Sequence, residues 1–280
     1  MEQFRVRLSM KLHSCFCVLC MLGFLLPGCK PMPNDGIPFY LNIDTAGMKD
    51  GSSHGITDVW LETGATNLGA YELPANFPVL EKDEVLFLVN AGIEESGQSG
   101  IRINYPFYQP DTFSIFAKLD TTYSYRPYFR YRAATQFRFA TETFESTNGF
   151  NGITPVSDGD VKYGLWCGKI SVNSVDSNKI AAQISSYALP AGQEIWLEFD
   201  YRAEVPFFAG YYANGSTVIR NPILFINPKS DWNHIYIKLS TAIGTNPAPT
   251  YNLYFEALRP TTSTGGSVWI DNVKLLYFNP

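Results

Sequence analysis

Apolar and polar residues alternate with a period of two along much of the chain after residue 55. The clearest segments are "DVWLET" (58–63), "EVLFLVNAGI" (84–93), "FSIFAKL" (113–119), "EIWLEFDYRA" (194–203), "ILFIN" (223–227), "HIYIKLS" (234–240), "YNLYFEAL" (251–258) and "VWIDNVKLLYF" (268–278). Each is short, rich in aromatic and β-branched residues, and bounded by Gly, Pro, Asn or Asp, the signature of a strand. No stretch of a dozen residues places apolar positions at i, i+3, i+4 and i+7, so helices are not expected. The fold class is all-β, a small β-sandwich followed by a jelly-roll β-sandwich.

Three blocks divide this pattern. Residues 37–120 form the first sandwich. Within it "ITDVWLETGATNLGAYELPANFPVL" reads as a hairpin, with Val59 and Leu61 on one face, Trp60 and Glu62 on the other, and Pro74 and Pro78 ending the return strand. Residues 121–140 read as one long connector strand. Tyr123, Tyr125, Phe129 and Tyr131 fall on odd positions, and Ser124, Arg126, Arg130 and Arg132 on even ones. That basic face fits a charge-guarded edge or an anion or glycan contact. Residues 141–280 form the second sandwich, opening with "TETFESTNGF" and closing with "GGSVWIDNVKLLYF".

The first block resembles the prealbumin-like (Ig-like) or PEGA-like modules of bacterial surface proteins. The second block, through its "FE" opening, "IDNV" closing, "WLEFDY" and "DWNHIYIKL" segments, resembles the galactose-binding-like jelly rolls of carbohydrate-binding modules. That resemblance implies that the domain ends meet. It also implies a structural Ca2+ held there by Glu145 and Asp271, an ion that wants six to eight oxygen ligands.

The N-terminus changes the picture of where this fold resides. Arg5, Arg7 and Lys11 precede an apolar run from Leu12 to Leu26. The run is shorter than the roughly 20 apolar residues of a spanning helix, so residues 1–28 read as a cleaved signal. Leu26-Pro27-Gly28-Cys29 resembles the lipobox of bacterial lipoproteins, although Pro27 departs from the usual small or β-branched residue at that position. The resemblance implies cleavage before Cys29, lipid on its sulfur, and a tether over residues 29–36. Lys30 is not the Asp that retains many lipoproteins in the inner membrane. The implied location is therefore a bacterial outer membrane of the Bacteroidota kind, facing the periplasm or the surface.

Removing residues 1–28 leaves 252 residues and moves the formal charge from −5 to −7. A mildly acidic chain is a poor nucleic-acid binder. Cys15, Cys17 and Cys20 leave with the signal and Cys29 takes the lipid. Only Cys167 remains, which excludes an intramolecular disulfide and a cysteine-based zinc site.

No catalytic residue is assigned. His54 and His234 belong to no hydrolase or metalloprotease motif. Glu194, Glu198 and Asp200 share one strand face and fit a carboxylate pair for glycoside hydrolysis. They fit a solvated sandwich face better, because Ile195, Leu197 and Phe199 between them must be core. Sugar rings stack on exposed aromatics, and the richest loop is "VPFFAGYYANGS" with Phe207, Phe208, Tyr211, Tyr212 and Asn214. Trp166 and Trp232 come next, Trp232 with a core placement as its alternative. The expected function is a lipid-anchored envelope binding protein, with glycan recognition by the jelly roll as the leading reading. The partners would be a polysaccharide or envelope proteins. A structural or protein-interaction subunit and a small glycan-active hydrolase are the alternatives.

Overall fold

A computed structural model of the chain describes residues 36–64, 66–157 and 161–278. Cys29, the signal segment and the tether as far as residue 35 lie outside the described residues. The first half contains β1 (Phe39–Ile43), β2 (Gly47–Met48), β3 (Ile56–Thr63), β4 (Asn67–Glu72), β5 (Ala75–Val79), β6 (Glu84–Glu94), β7 (Arg102–Asn104), β8 (Tyr108–Gln109), β9 (Asp111–Phe116), β10 (Thr122–Ser124) and β11 (Tyr128–Tyr131). The second half contains β12 (Thr135–Phe137), β13 (Phe150–Asn151), β14 (Thr154–Val156), β15 (Cys167–Asn173), β16 (Asn178–Gln183), β17 (Ile195–Ala203), β18 (Phe207–Asn214), β19 (Val218–Ile226) and β20 (Lys229–Lys238). A single turn of helix α1 (Ser240–Thr245) follows, then β21 (Thr250–Leu258) and β22 (Gly265–Phe278). The protein is all-β.

In the first sandwich the sheet β4-β3-β6-β7, with β9 also on β6, packs against the short sheets β10-β1-β5 and β2-β11-β8. Val59 and Leu61 face its core. The hairpin β3–β4 forms, but Pro78 does not end a strand. It lies inside β5, opposite Tyr40 of β1. Among the described residues β5 pairs with β1 alone, so the ladder bond a proline cannot donate falls on a free edge.

The 121–140 stretch is not one long strand. β10 pairs with β1, β11 with β2 and β8, and β12 with β22. The alternation holds for Tyr123 in β10 and for Phe129 and Tyr131 in β11, but two turns break the strand. Phe129 is fully buried in the first core, and Arg126 lies 5.0 Å over the Tyr128 ring.

The second sandwich pairs the sheet β14-β15-β22-β17-β20, with β12 on β22, against the sheet β13-β16-β21-β18-β19. Ile170, Leu197, Phe199, Phe207, Tyr211, Leu253, Phe255 and Ile270 fill the space between them. Glu142 and Val273 pair antiparallel, so the opening and closing segments meet. Cys167 is a buried thiol outside any disulfide.

The two sandwiches share a seam. Trp196, Tyr236 and Leu276, on the outer side of the sheet that holds β17 and β22, belong to the first sandwich's hydrophobic core. Glu95 bridges to Tyr236, and the Gly55 amide donates to the Tyr236 hydroxyl at 2.9 Å. One face of β17 is therefore covered by its own sandwich and the other by its neighbour.

Candidate functional site

β18 carries alternate residues to opposite sides, as any strand does. Phe207, Ala209, Tyr211 and Ala213 enter the core. Phe208, Gly210, Tyr212 and Asn214 face outward, opposite Glu256, Tyr254, Asn252 and Thr250 of β21. On the other flank they meet Phe225, Pro222, Arg220 and Val218 of β19. The result is an outer sheet face of rings and polar groups. Tyr212 and Tyr254 lie 5.0 Å apart, as do Phe208 and Phe225. The Arg220 guanidinium sits 5.0 Å over Tyr254 and pairs with Glu256. Glu256 also accepts from Asn178 Nδ2 at 2.6 Å. Asn214 donates to Asn252 at 2.9 Å. Gly210 permits this packing: a Cβ there would stand 2.8 Å from the Tyr254 ring and 2.3 Å from the Asn221 carbonyl. Tyr254 is 0% exposed, covered by Tyr212 and Arg220, and Glu256 is buried with it, so what solvent reaches is the half-buried Phe208 and Tyr212 and the exposed Phe225, with Arg220 and Asn252 beside them. Rings with an apolar face, flanked by amide and guanidinium donors, form a surface on which a sugar can stack and be held by hydrogen bonds.

The sequence placed "VPFFAGYYANGS" in a loop, and the structure makes it strand β18. Phe207 is 0% and Tyr211 1% exposed, so neither can reach a ligand. Phe208, Tyr212 and Asn214 share the outer face. Trp166 stands apart, at the start of β15, where its backbone amide donates to Glu145. Trp232 lies within β20 and lines a groove of about 260 Å³ at the seam with Tyr201, Lys229 and Asn233. Sequence reasoning missed Arg220, Asn252 and Phe225 on this face. The alternation in "YNLYFEAL" was the available signal for Asn252, since Tyr251, Leu253 and Phe255 are buried in the core; Tyr254 and Glu256 point the same way as Asn252 but are covered by neighbouring side chains.

The carboxylates of β17 correct a second expectation. Glu198 and Asp200 are both 0% exposed rather than solvated, because the first sandwich covers that face. Glu198 accepts from Tyr105, from Tyr131 at 2.6 Å and from Lys274 at 3.4 Å. Asp200 accepts from Ser53 at 2.5 Å and Asn272 at 2.8 Å. His234 Nδ1 lies 3.0 Å from Asp200, and its Nε2 lies 3.6 Å from Glu198. Asn272, with φ of 50°, turns into this cluster at the irregular register between β17 and β22.

Burial alone would raise the Glu198 pKa. Lys274 and His234 outweigh it and hold the group down at about 2. Burial likewise opposes charging of His234, and its two carboxylate partners reverse the sign and raise its pKa. Two acids thus face two cations. Ser53 Oγ and His234 Nδ1 lie 3.3 Å apart and both converge on the same Asp200 oxygen, at 2.5 and 3.0 Å. An Nδ1 that gives its proton to Asp200 is not a base for the serine, which donates to the carboxylate instead, and the trio is structural. His54 titrates low, at about 4, through burial and the nearby His234 charge. Glu194 lies away from Glu198, paired to Lys238 at 2.9 Å and to the Trp196 indole.

The calcium expectation fits poorly. Glu145 Oε1 is taken by the amides of Leu165 (2.6 Å) and Trp166 (3.0 Å). Asp271 accepts from the Asn272 amide at 2.7 Å. Burial, then the charges of Asp200 and Glu145, raise the Asp271 pKa to about 7. Among the described residues no group of three or more His, Cys, Asp or Glu side chains could hold a metal ion.

No protein-family model matches the chain, and no curated protein matches its sequence. Solved structures give distant likenesses. The chain is similar to TmCBM61 in complex with beta-1,4-galactotriose, at 11% identity and a TM-score of 0.35, over 50% of this chain and 97% of that one. It is similar to a structure of carbohydrate-binding modules of the β-sandwich superfamily, at 12% identity and a TM-score of 0.38, over 80% and 87%. It is also similar to the enzymatically active domain of bacteriophage CBA120 tailspike protein 4, at 14% identity and a TM-score of 0.36, over 51% of this chain and 19% of that one. Scores of this size locate no ligand and no site residue here.

Proposed function

We propose that the protein is a lipid-anchored envelope protein that binds a glycan on the outer face of the sheet β13-β16-β21-β18-β19. The observation that carries this reading is the row of half-buried Phe208 and Tyr212 and exposed Phe225 rings with Arg220 and Asn252 beside it; Tyr254 lies beneath them, fully buried. The anchor rests on the Leu26-Pro27-Gly28-Cys29 sequence and the apolar run before it, and Lys30 favours an outer over an inner membrane, in an envelope of the Bacteroidota kind. In this reading the first sandwich is a prealbumin- or PEGA-like spacer between lipid and binding module. A hydrolase built on Glu194 and Glu198 is disfavoured, because Glu198 is sealed in the seam.

The test is a glycan array probed with residues 30–280, repeated with Phe208→Ala/Tyr212→Ala. Binding to a defined glycan that the double variant loses supports the reading. A protein that binds no glycan, or binds equally well without those rings, contradicts it.

A further inference from the structure

The far end of the first sandwich carries an apolar patch that its own core does not use. β6 begins at Glu84 and ends beside the seam, where Glu95 bridges to Tyr236. At the end away from the seam four segments converge. The Asp120 amide donates to the Pro38 carbonyl, and the Ala117 amide to Asp83. Thr63 reaches Glu81, and Gly36 lies against Lys82. The large apolar side chains here are open to solvent: Ile37 60%, Leu80 50%, Leu86 58%, Phe116 74% and Leu119 51%. Phe116 and Ser114 pair with Glu84 and Leu86 on adjacent strands, so Phe116 and Leu86 are diagonal neighbours. A concentration of exposed apolar groups of this kind marks a contact surface.

We infer that this end docks on the lipid surface that holds the anchor, with Phe116, Leu86 and Leu119 dipping into the headgroup layer. The inference rests on the proposed lipidation of Cys29. The described chain starts at Gly36, in the middle of the patch, only seven residues past Cys29. Seven residues reach at most ~25 Å, so this end cannot leave the neighbourhood of the bilayer. The eleven residues of β6 span roughly 35 Å, which holds the seam and the second sandwich clear of the lipid. Lys82 and Lys118 here are outnumbered by Glu81, Asp83, Glu84 and Asp120. Attraction to anionic headgroups is therefore not the driving force. Apolar insertion is, as for other shallow interfacial contacts, and salt, which screens the repulsion between this acidic rim and anionic headgroups, does not weaken the docking.

The experiment uses the full lipidated chain in phosphatidylethanolamine–phosphatidylglycerol vesicles, with an environment-sensitive fluorophore on Ser114→Cys or on Thr262→Cys in the second sandwich. Both positions are exposed, and Cys167 is buried and unreactive to the label. Emission at 114 shifts to the blue and is quenched by doxyl-labelled lipid. Emission at 262 is not. The variant Leu86→Asp/Phe116→Asp still floats with the vesicles and loses the quenching. If position 114 stays aqueous in a chain that floats, the docking is refuted and the anchor stands. A chain that neither floats nor takes up labelled palmitate removes the anchor reading and this inference with it.

Discussion

Lys274→Met tests whether the seam is held by charge balance. Lys274 is 5% and Glu198 0% exposed, with Nζ 3.4 Å from the carboxylate and 2.9 Å from the Tyr131 hydroxyl. The methionine keeps the packed stem and removes the charge. Glu198 then keeps Tyr105, Tyr131 and His234 but carries an uncompensated negative charge beside Asp200. Breaking a buried pair from one side costs about 3–5 kcal/mol, a large part of the roughly 5–15 kcal/mol that holds a domain. For a chain of this size that lowers Tm by roughly 6–20 °C. Urea denaturation at pH 7 reads the loss directly. The double variant Glu198→Gln/Lys274→Met supplies the control, since a neutral amide still accepts from both tyrosines, and stability recovers by half or more. The difference from wild type narrows as pH falls toward protonation of Glu198. A loss below about 1 kcal/mol, the range of exposed ion pairs, would refute the reasoning, as would a double variant no better than the single one.

The pH profile follows from the same cluster. Glu198 stabilises above about pH 4.5, and that contribution is lost as pH falls through about 2. His234 stabilises below about pH 6.5, and its contribution is lost as pH rises through its raised folded value. Urea midpoints therefore peak between these limits, and His234→Gln flattens the alkaline limb; a wild-type profile flat across this range contradicts the assignment. Asp271→Asn raises stability at pH 8, because a carboxyl raised from 3.8 to about 7 loses its contribution as pH rises through that value. The ceiling is about 4 kcal/mol, at about 1.4 kcal/mol per unit. A calcium ion bound at Asp271 would reverse the sign, so a destabilised, chelator-sensitive outcome restores the metal. On the glycan face, Phe208→Ala weakens binding about tenfold, or about 1.4 kcal/mol, and leaves Tm nearly unchanged. Phe207→Ala, one residue away in the core, costs about 3–5 kcal/mol; equal effects on stability would show that β18 is misregistered.

Much of the fold was legible because a strand declares itself by period. Val59 and Leu61, or Tyr251, Leu253 and Phe255, name their buried side from sequence alone. The same rule, applied to 207–214, would have sent Phe207 and Tyr211 inward and left Phe208 and Tyr212 outside. That stretch was misread because Gly210 and the closing Asn-Gly resemble loop punctuation. Gly210 instead serves a close approach of the Tyr254 ring. Glu198 and Asp200 were misread for a different reason. Alternation gives two faces but not what covers the second one. Only the arrival of Ser53, Tyr105 and Tyr131 from far along the chain turns that face into an interior.

The sequence by itself determined the strands, the all-β class and which side of each strand is apolar, since these depend on neighbours one or two residues apart. The tertiary structure alone decided which polar face stays wet. In the sheet that contains β17 the polar face met the first sandwich and became a balanced ionic seam. In the sheet that contains β18 the first sandwich does not cover the outer face, so Phe208 and Tyr212 stay half-buried and Phe225 exposed, while Tyr254 is sealed by its own sheet neighbours. The physical reason is that burial of a charged or aromatic group depends on contacts distant in sequence, and no local pattern carries them.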